Sequence, residues 1–316
     1  MIDVVFCIDA SFWHPLTITI SSLVLNNPGS EFRLFVIGTP DVFAGDQASL
    51  RKLIADAGNA SLELVPFDNT VAYGHLPVHG HISLATYLRL FLTDCLPATV
   101  EKVIYLDSDV LVLTHNFEEL WKVELGDRYV GAAREPFDSK QRLPLGFGPE
   151  DFYFNAGVMV VNLKKWRDED VVARFLQFAE TNQAILFSPD QDILNSVFRG
   201  EAIDIGLGWN WQALFPRLQP VQLHISEEQY AMWKRAPEIV HFTSRYKPWM
   251  WKWAPHYQST YLRVLKRIPS EVPRPKREIR QLPTRMAKMS QRFLEWHFPA
   301  LARALRSFRG PRRRPS

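Results

Sequence analysis

The sequence predicts an α/β fold built on a mostly parallel sheet with helices on both faces, and three observations carry that prediction. Short apolar or alternating runs occur at Val4 to Ile8, Phe32 to Ile37, Leu62 to Phe67 and Val103 to Leu106, each of strand length and composition. Stretches of helical periodicity, such as Leu16 to Leu25 and Leu50 to Ala57, separate them, which is the alternation of βαβ units. The 316 residues with 47% hydrophobic side chains can also bury a large core. A sheet of this kind puts its ligand crevice at the carboxyl ends of the strands.

Taken in order, the first strand ends at Asp9, which reads either as an N-cap or turn residue or as a ligand contact. The run Lys102 to Val112 is strand-like throughout except for Asp107 and Asp109, one residue apart. Two acids in a turn commonly just face water. Two acids interrupting a buried strand repel one another unless a cation or a shared proton offsets them. At a strand end they offer hard oxygens to Mg²⁺ or Mn²⁺, with coordination positions left for phosphate. Tyr153 to Leu163 reads as another strand, followed by one helix from about Lys164 to Thr181. Ser188-Pro189-Asp190 opens a further helix and sets Asp190, Gln191 and Asp192 at its N-terminus. Ala202 to His241 is rich in Trp and Pro with weak periodicity. The chain divides as a catalytic-type domain over 1–262, a Pro-rich basic linker over 263–283 and a basic amphipathic tail over 284–316.

Composition narrows the function. No apolar run reaches the roughly 18 residues that span a bilayer, and the first residues carry Asp3 where a signal peptide carries basic residues; both point to the cytoplasm. Cys7 and Cys95 read as packed thiols rather than a disulfide. No Gly-x₄-Gly-Lys-Ser/Thr, His-Glu-x-x-His or Gly-x-Ser-x-Gly motif occurs. The net charge of +3 conceals an asymmetry: residues 263–316 carry 16 Lys/Arg against 3 Asp/Glu, a balance of +13, so the body is at −10. A mildly acidic body with a basic tail suggests chemistry in the one and attachment to an anionic partner through the other. The tail places Met286, Met289, Phe293, Trp296, Leu301, Leu305 and Phe308 among basic residues, with Pro299 splitting the helix. A membrane interface fits that pattern; a dimer contact, nucleic-acid affinity and disorder are the competing readings.

Further motifs accompany the two acids: His81-Ile82-Ser83 with Tyr87 and Arg89, Tyr153-Phe154-Asn155-Ala156-Gly157, Asn162-Leu163-Lys164-Lys165-Trp166, Asp190-Gln191-Asp192-Ile193-Leu194-Asn195, and His241 to Trp249. In this order and spacing, from about Val4 to Trp249, the chain resembles glycosyltransferase family 8, the retaining enzymes typified by bacterial lipooligosaccharide α-galactosyltransferases. The resemblance implies a GT-A-type nucleotide-binding domain. It implies that Asp107, Asp109 and His241 ligate Mn²⁺, with Mg²⁺ as the alternative ion, and that the ion bridges the diphosphate of UDP-galactose or UDP-glucose. Lys247 would add a second positive contact to the same phosphates. Asp9 and Ser11 would meet the uridine and ribose, with Ser11 replacing the Asn of many members, and His81, Arg89, Ser108 and Ser244 fall on donor-site positions. Asn155 and Asp190 would hold donor-sugar hydroxyls, and Gln191 would lie nearest the reacting face of the anomeric carbon. Trp249 would lie near the phosphates, while Tyr87 and Leu90 read as packing. Two departures are visible: Ser244 stands where the family usually has Gly, and Arg134-Glu135 occupies the region of an acceptor-contacting Asp. The implied acceptor is a glycolipid or saccharide such as lipopolysaccharide core, reached at the inner face of the plasma membrane, with no nucleic acid involved. A haloacid-dehalogenase-like phosphatase, using Asp107 and Asp109 with Mg²⁺, is the alternative enzyme, and a non-catalytic nucleotide-sugar-binding protein is the alternative from another class.

Overall fold

Apolar runs without a polar face can only be buried on both sides, and these become the inner strands of the sheet. The computed structural model describes residues 1–44, 47–68, 70–76, 84–136, 142–148, 150–245, 247–250, 255–268 and 279–307. Its strands are β1 (Ile2–Cys7), β2 (Phe32–Gly38), β3 (Ala60–Pro66), β4 (Lys102–Leu106), β5 (Val110–Val112), β6 (Val130–Arg134), β7 (Phe154–Asn162), β8 (Ala202–Asp204), β9 (Trp211–Gln212) and β10 (Ile239–His241). Seven form one sheet in the order β3-β2-β1-β4-β7-β6-β8. Only β7 runs against the rest, pairing antiparallel with β4 and β6. In register, Val4 faces Leu34 on one side and Ile104 on the other.

Because side chains alternate along a strand, β1 feeds two cores. Val5 and Cys7 pack with Tyr105, Phe91, Met159 and Trp166; Val4 and Phe6 pack with Leu16, Ile20, Leu106 and Val158 on the opposite face. The helix Trp13–Asn26 covers that second face. Its buried hydroxyls are also spent on positioning. Thr19 Oγ1 lies 2.8 Å from the carbonyl oxygens of both Ser108 and Val110, and Ser22 Oγ accepts the Val112 N–H at 2.9 Å. They hold the turn after β4 and the start of β5 against the helix.

A second sheet, in the order β5-β10-β9, sits beyond that turn. β10 pairs antiparallel with β5 and parallel with β9, setting Val110 opposite His241 and His241 opposite Gln212. Residues far apart in sequence are thereby fixed side by side.

Three sequence expectations change. The single helix expected over Lys164 to Thr181 is two, Leu163–Asp168 and Val171–Asn182, because Asp170 takes a left-handed conformation (φ 45°) that breaks the helical path. The expected linker boundary at residue 263 is crossed by the helix Gln258–Leu265, whose Val264 and Leu265 are buried against Ile18 and Val240. The expected start of the tail at residue 284 falls inside the helix Leu282–His297. A second tail helix, Pro299–Ser307, begins at Pro299; residues 269–278 of the linker and Phe308 lie outside the described residues.

Candidate active site

The site begins where β4 runs out. Asp107, Ser108 and Asp109 form the turn between β4 and β5, the junction of the two sheets. The Asp107 amide donates to the Gly157 carbonyl at 2.8 Å, tying the turn to β7. Tyr105, two residues earlier and so on the same strand face, donates its hydroxyl to Asp107 Oδ1 at 2.8 Å, and Arg89 Nη2 reaches the same oxygen at 2.8 Å. Arg89 also bonds the Ala156 carbonyl and pairs with Asp190 Oδ2 at 3.1 Å. On the other acid, Lys247 holds Asp109 Oδ2 and donates to the Phe242 carbonyl. The second oxygen of each acid turns toward His241, whose Nε2 is 3.4 Å from Asp107 Oδ2 and 3.1 Å from Asp109 Oδ1. Among the described residues, these three are the one group of His, Cys, Asp and Glu whose ligand atoms all lie within 4.8 Å of one another.

The electrostatics match that geometry. Burial opposes charge on both acids, but Arg89 and His241 hold the Asp107 carboxyl below its usual range, and Lys247 and His241 do the same to Asp109. Burial would lower the pKa of His241; the two carboxylates outweigh it and push it up to about 9. Asp190 and Glu135 go the other way, raised chiefly by burial. A divalent cation fits this donor set. Two hard oxygens and one imidazole nitrogen converge, the remaining carboxylate oxygens are already held by cationic groups, and an oxygen-plus-imidazole site suits Mn²⁺ better than Ca²⁺. Room for the imidazole comes from Gly157: a Cβ there would lie 2.1 Å from His241 Cε1 and 2.8 Å from Asp107 Oδ2.

A cavity of about 740 Å³ opens from this cluster. It lies where the carboxyl ends of β1 and β4 meet the amino end of antiparallel β7, the N-terminus of the helix Pro189–Val197 and the segment after β10.

Compared with known proteins, residues 3–252 match the model of the family described as glycosyl transferase family 8. The chain belongs to that family. It is 25% identical to General stress protein A of Bacillus subtilis over 257 residues, covering 79% of this chain and 87% of that protein. It is 25% identical to lipopolysaccharide 1,2-glucosyltransferase of Escherichia coli K12 over 272 residues, covering 83% of this chain and 77% of the relative. Among solved structures, galactosyltransferase LgtC in complex with donor and acceptor sugar analogs superposes with a TM-score of 0.71 at 24% identity, over 90% of this chain and all of that one. That likeness is one of fold, and the mostly parallel GT-A-type sheet expected from the sequence is the one observed. Membership of family 8 favours a glycosyltransferase over the phosphatase alternative.

Most residues singled out in this family-8 chain do line the cavity: Asp9, Arg89, Asp107, Ser108, Asp109, Asn155, Asp190, Gln191, His241, Ser244 and Lys247. Besides lining the cavity, Asp9 caps the turn Ala10–Phe12, its carboxylate accepting the Ser11 amide at 2.8 Å. Ser11 is a correction: its hydroxyl is spent on Asp9 and it is not among the cavity's lining residues. Trp249 is another, because it packs between Phe12 and Tyr261 rather than lining the cavity. Tyr87 and Leu90 are buried packing residues, as expected. His81 lies outside the described residues.

Sequence reading passed over Gly157, Tyr105, Tyr153, Asp192, Asn210 and Gln212 as functional residues. Tyr153 donates to Asp192 Oδ1 and lies 3.4 Å from Gln191 Nε2, while Asp192 Oδ2 accepts the Phe187 and Ser188 amides and so closes the helix start. Glu135 Oε2 accepts from Asn155 Nδ2 and Gln212 Nε2, both at 2.8 Å. A glycine inside an apolar strand was the available signal for Gly157. A lone amide between two tryptophans was the signal for Asn210.

Proposed function

We propose that the chain is a retaining, Mn²⁺-dependent hexosyltransferase that moves galactose or glucose from a UDP-sugar to a glycolipid such as lipopolysaccharide or lipooligosaccharide core. The observation that carries this reading is the convergence of Asp107, Asp109 and His241 on the wall of a cavity that also meets Arg89, Lys247, Asn155 and Asp190. A family-8 relative named as a lipopolysaccharide glucosyltransferase supports the choice of hexose and acceptor.

Asp107, Asp109 and His241 would hold the metal, which would supply positive charge against a departing diphosphate. Lys247, now on Asp109 Oδ2 and the Phe242 carbonyl, adds its ammonium to the same phosphates. Asp9 borders the nucleoside end, with Ser108 and Ser244 along the donor. Asn155 and Asp190 hold sugar hydroxyls, and Arg89 fixes Asp190 and Asp107 relative to each other. Gln191 is immobilised on both sides: its Oε1 accepts the Ala156 amide at 3.1 Å and its Nε2 faces the Tyr153 hydroxyl. An amide is a weak nucleophile, whereas retention through a covalent intermediate calls for a carboxylate about 5 Å from the acid. The acceptor oxygen therefore attacks the face that the diphosphate leaves, and its proton passes to the departing phosphate oxygen. Gln191 and Asp190 stabilise the cationic character of the sugar.

At the cytoplasmic face of the membrane, the tail brings this site to its acceptor. The helices Leu282–His297 and Pro299–Ser307, with Phe298 between them, expose Met286, Met289, Phe293, Phe298, Leu301 and Leu305, apolar side chains among basic residues that suit an anionic interface.

The test is UDP release from UDP-galactose and UDP-glucose with Mn²⁺. Slow hydrolysis of one donor, abolished by chelation and reduced about 100-fold in Gln191→Ala, is the expected result. Preference for phosphomonoesters would return the phosphatase reading, binding without release would return the non-catalytic one, and a trapped sugar adduct on Asp190 would overturn same-face displacement.

A further inference from the structure

Two buried amides, Asn155 and Asn210, link Glu135 to His241, and the polarity of this chain can be read from one end. The starting point is a donor that cannot rotate: the Gly157 backbone N–H, 3.0 Å from Asn155 Oδ1. This identifies the oxygen end of the Asn155 amide, and its Nδ2 accordingly faces Glu135 Oε2. The same Asn155 oxygen lies 2.9 Å from Asn210, which must therefore present its NH₂. Asn210 Oδ1 is then the atom 2.8 Å from His241 Nδ1. An amide oxygen only accepts, so Nδ1 carries the proton. The ring's remaining nitrogen, Nε2, is the one turned toward Asp107 and Asp109.

We infer that Asn210 is a positioning residue for the metal centre: oriented through Asn155 by the Gly157 amide, it holds His241 in the Nδ1–H form and so leaves the Nε2 lone pair for the cation. One amide thus couples the residue placed against the donor sugar to the residue placed against the metal. Its burial, at 1% exposure, keeps water from substituting for either bond. Partners of this kind fix the tautomer and orientation of a ligating imidazole, and their loss costs 10–100-fold in metal affinity.

The inference rests on the metal reading above, and the experiment separates the two. Mn²⁺ affinity is measured in saturating UDP from the electron paramagnetic resonance signal of free Mn²⁺, and imidazole ligation from the nitrogen coupling of bound Mn²⁺ in histidine-labelled protein. Asn210→Leu, close in volume but without an acceptor, is expected to weaken Mn²⁺ about 10–100-fold and to lose the nitrogen coupling. Asn210→Asp keeps an oxygen against Nδ1 in either protonation state and is expected to stay near wild type in both. Asn155→Leu, which frees Asn210 to turn over, is expected to weaken Mn²⁺ about tenfold and keeps the inference testable should Asn210→Leu not fold. Wild-type affinity with coupling intact in Asn210→Leu or Asn155→Leu overturns the inference, as does an Asn210→Asp as poor as Asn210→Leu. A wild-type protein that takes up no Mn²⁺ overturns the metal reading, and the inference with it.

Discussion

Gly157 is the residue on which the spacing of Asp107, Asp109 and His241 turns. A methyl at this position would overlap His241 and crowd Asp107, and neither can retreat, because β10 is locked to β5 by register and Asp107 is bonded to Gly157's own carbonyl. Gly157→Ala is therefore expected to cost about 1–3 kcal/mol in overpacking and, more tellingly, to abolish the rise in melting temperature expected of the wild-type protein with Mn²⁺ plus UDP. A melting shift equal to wild type would show that the cluster tolerates the methyl and is not the binding site. The two acids were legible as a site because charge inside an apolar strand demands a partner. Gly157 was not, because what it makes room for arrives from a strand more than eighty positions further along the chain.

At the scale of elements, the helix Leu282–His297 is attached to the body by charge as well as by packing. Glu295 is 1% exposed and lies 3.0 Å from both Arg217 Nε and His256 Nε2, while Trp296 packs against His256 and Tyr257. Burial would raise the carboxyl, but His256, Arg217 and Gln291 draw it down to about 2 from its ordinary 4.5. A folded-state value below the unfolded one stabilises docking fully above pH 4.5, and that stabilisation is lost as the pH falls toward 2. Hydrogen exchange across 282–297, corrected for intrinsic rate, is expected to lose protection in this window before the central sheet does. Glu295→Gln at neutral pH is expected to reproduce the loosening, read as faster proteolysis within the helix. Equal protection of Glu295→Gln and wild type would place the docking energy in Trp296 alone. Apolar residues recurring among basic ones announced this helix, but its one buried acid carries no sequence signature that separates it from a solvated one.

For the whole molecule, the division between an acidic body and a basic tail becomes an arrangement in space. One side of the tail is committed to the body through Glu295 and Trp296, while Phe293, Leu301 and Leu305 remain exposed. No helix among the described residues is long and apolar enough to cross a membrane. The triple substitution Phe293→Ser, Leu301→Ser, Leu305→Ser is expected to release the protein from vesicles containing anionic lipid while leaving hydrolysis of soluble UDP-sugar unchanged; unchanged sedimentation with vesicles would assign the exposed stripe to another partner. Removing the whole tail is a poorer test, because it would strip Arg217 and His256 of their carboxylate.

By itself the sequence determined the parallel α/β framework, the acid pair at the end of β4 and the helix start at Asp190, because each is written in local periodicity or in a local conflict between charge and burial. Tertiary structure decided the geometry in which His241, grouped with Asp107 and Asp109 only by the family resemblance, meets them, that Asn210 bonds its ring and Gln212 bonds Glu135, that Ser11 and Trp249 stand aside, and that the long helix after β7 breaks at Asp170. The meeting of His241 with the two acids depends on strand register across the second sheet and on the backbone's close approach at Gly157, and neither quantity is encoded in any short stretch of residues.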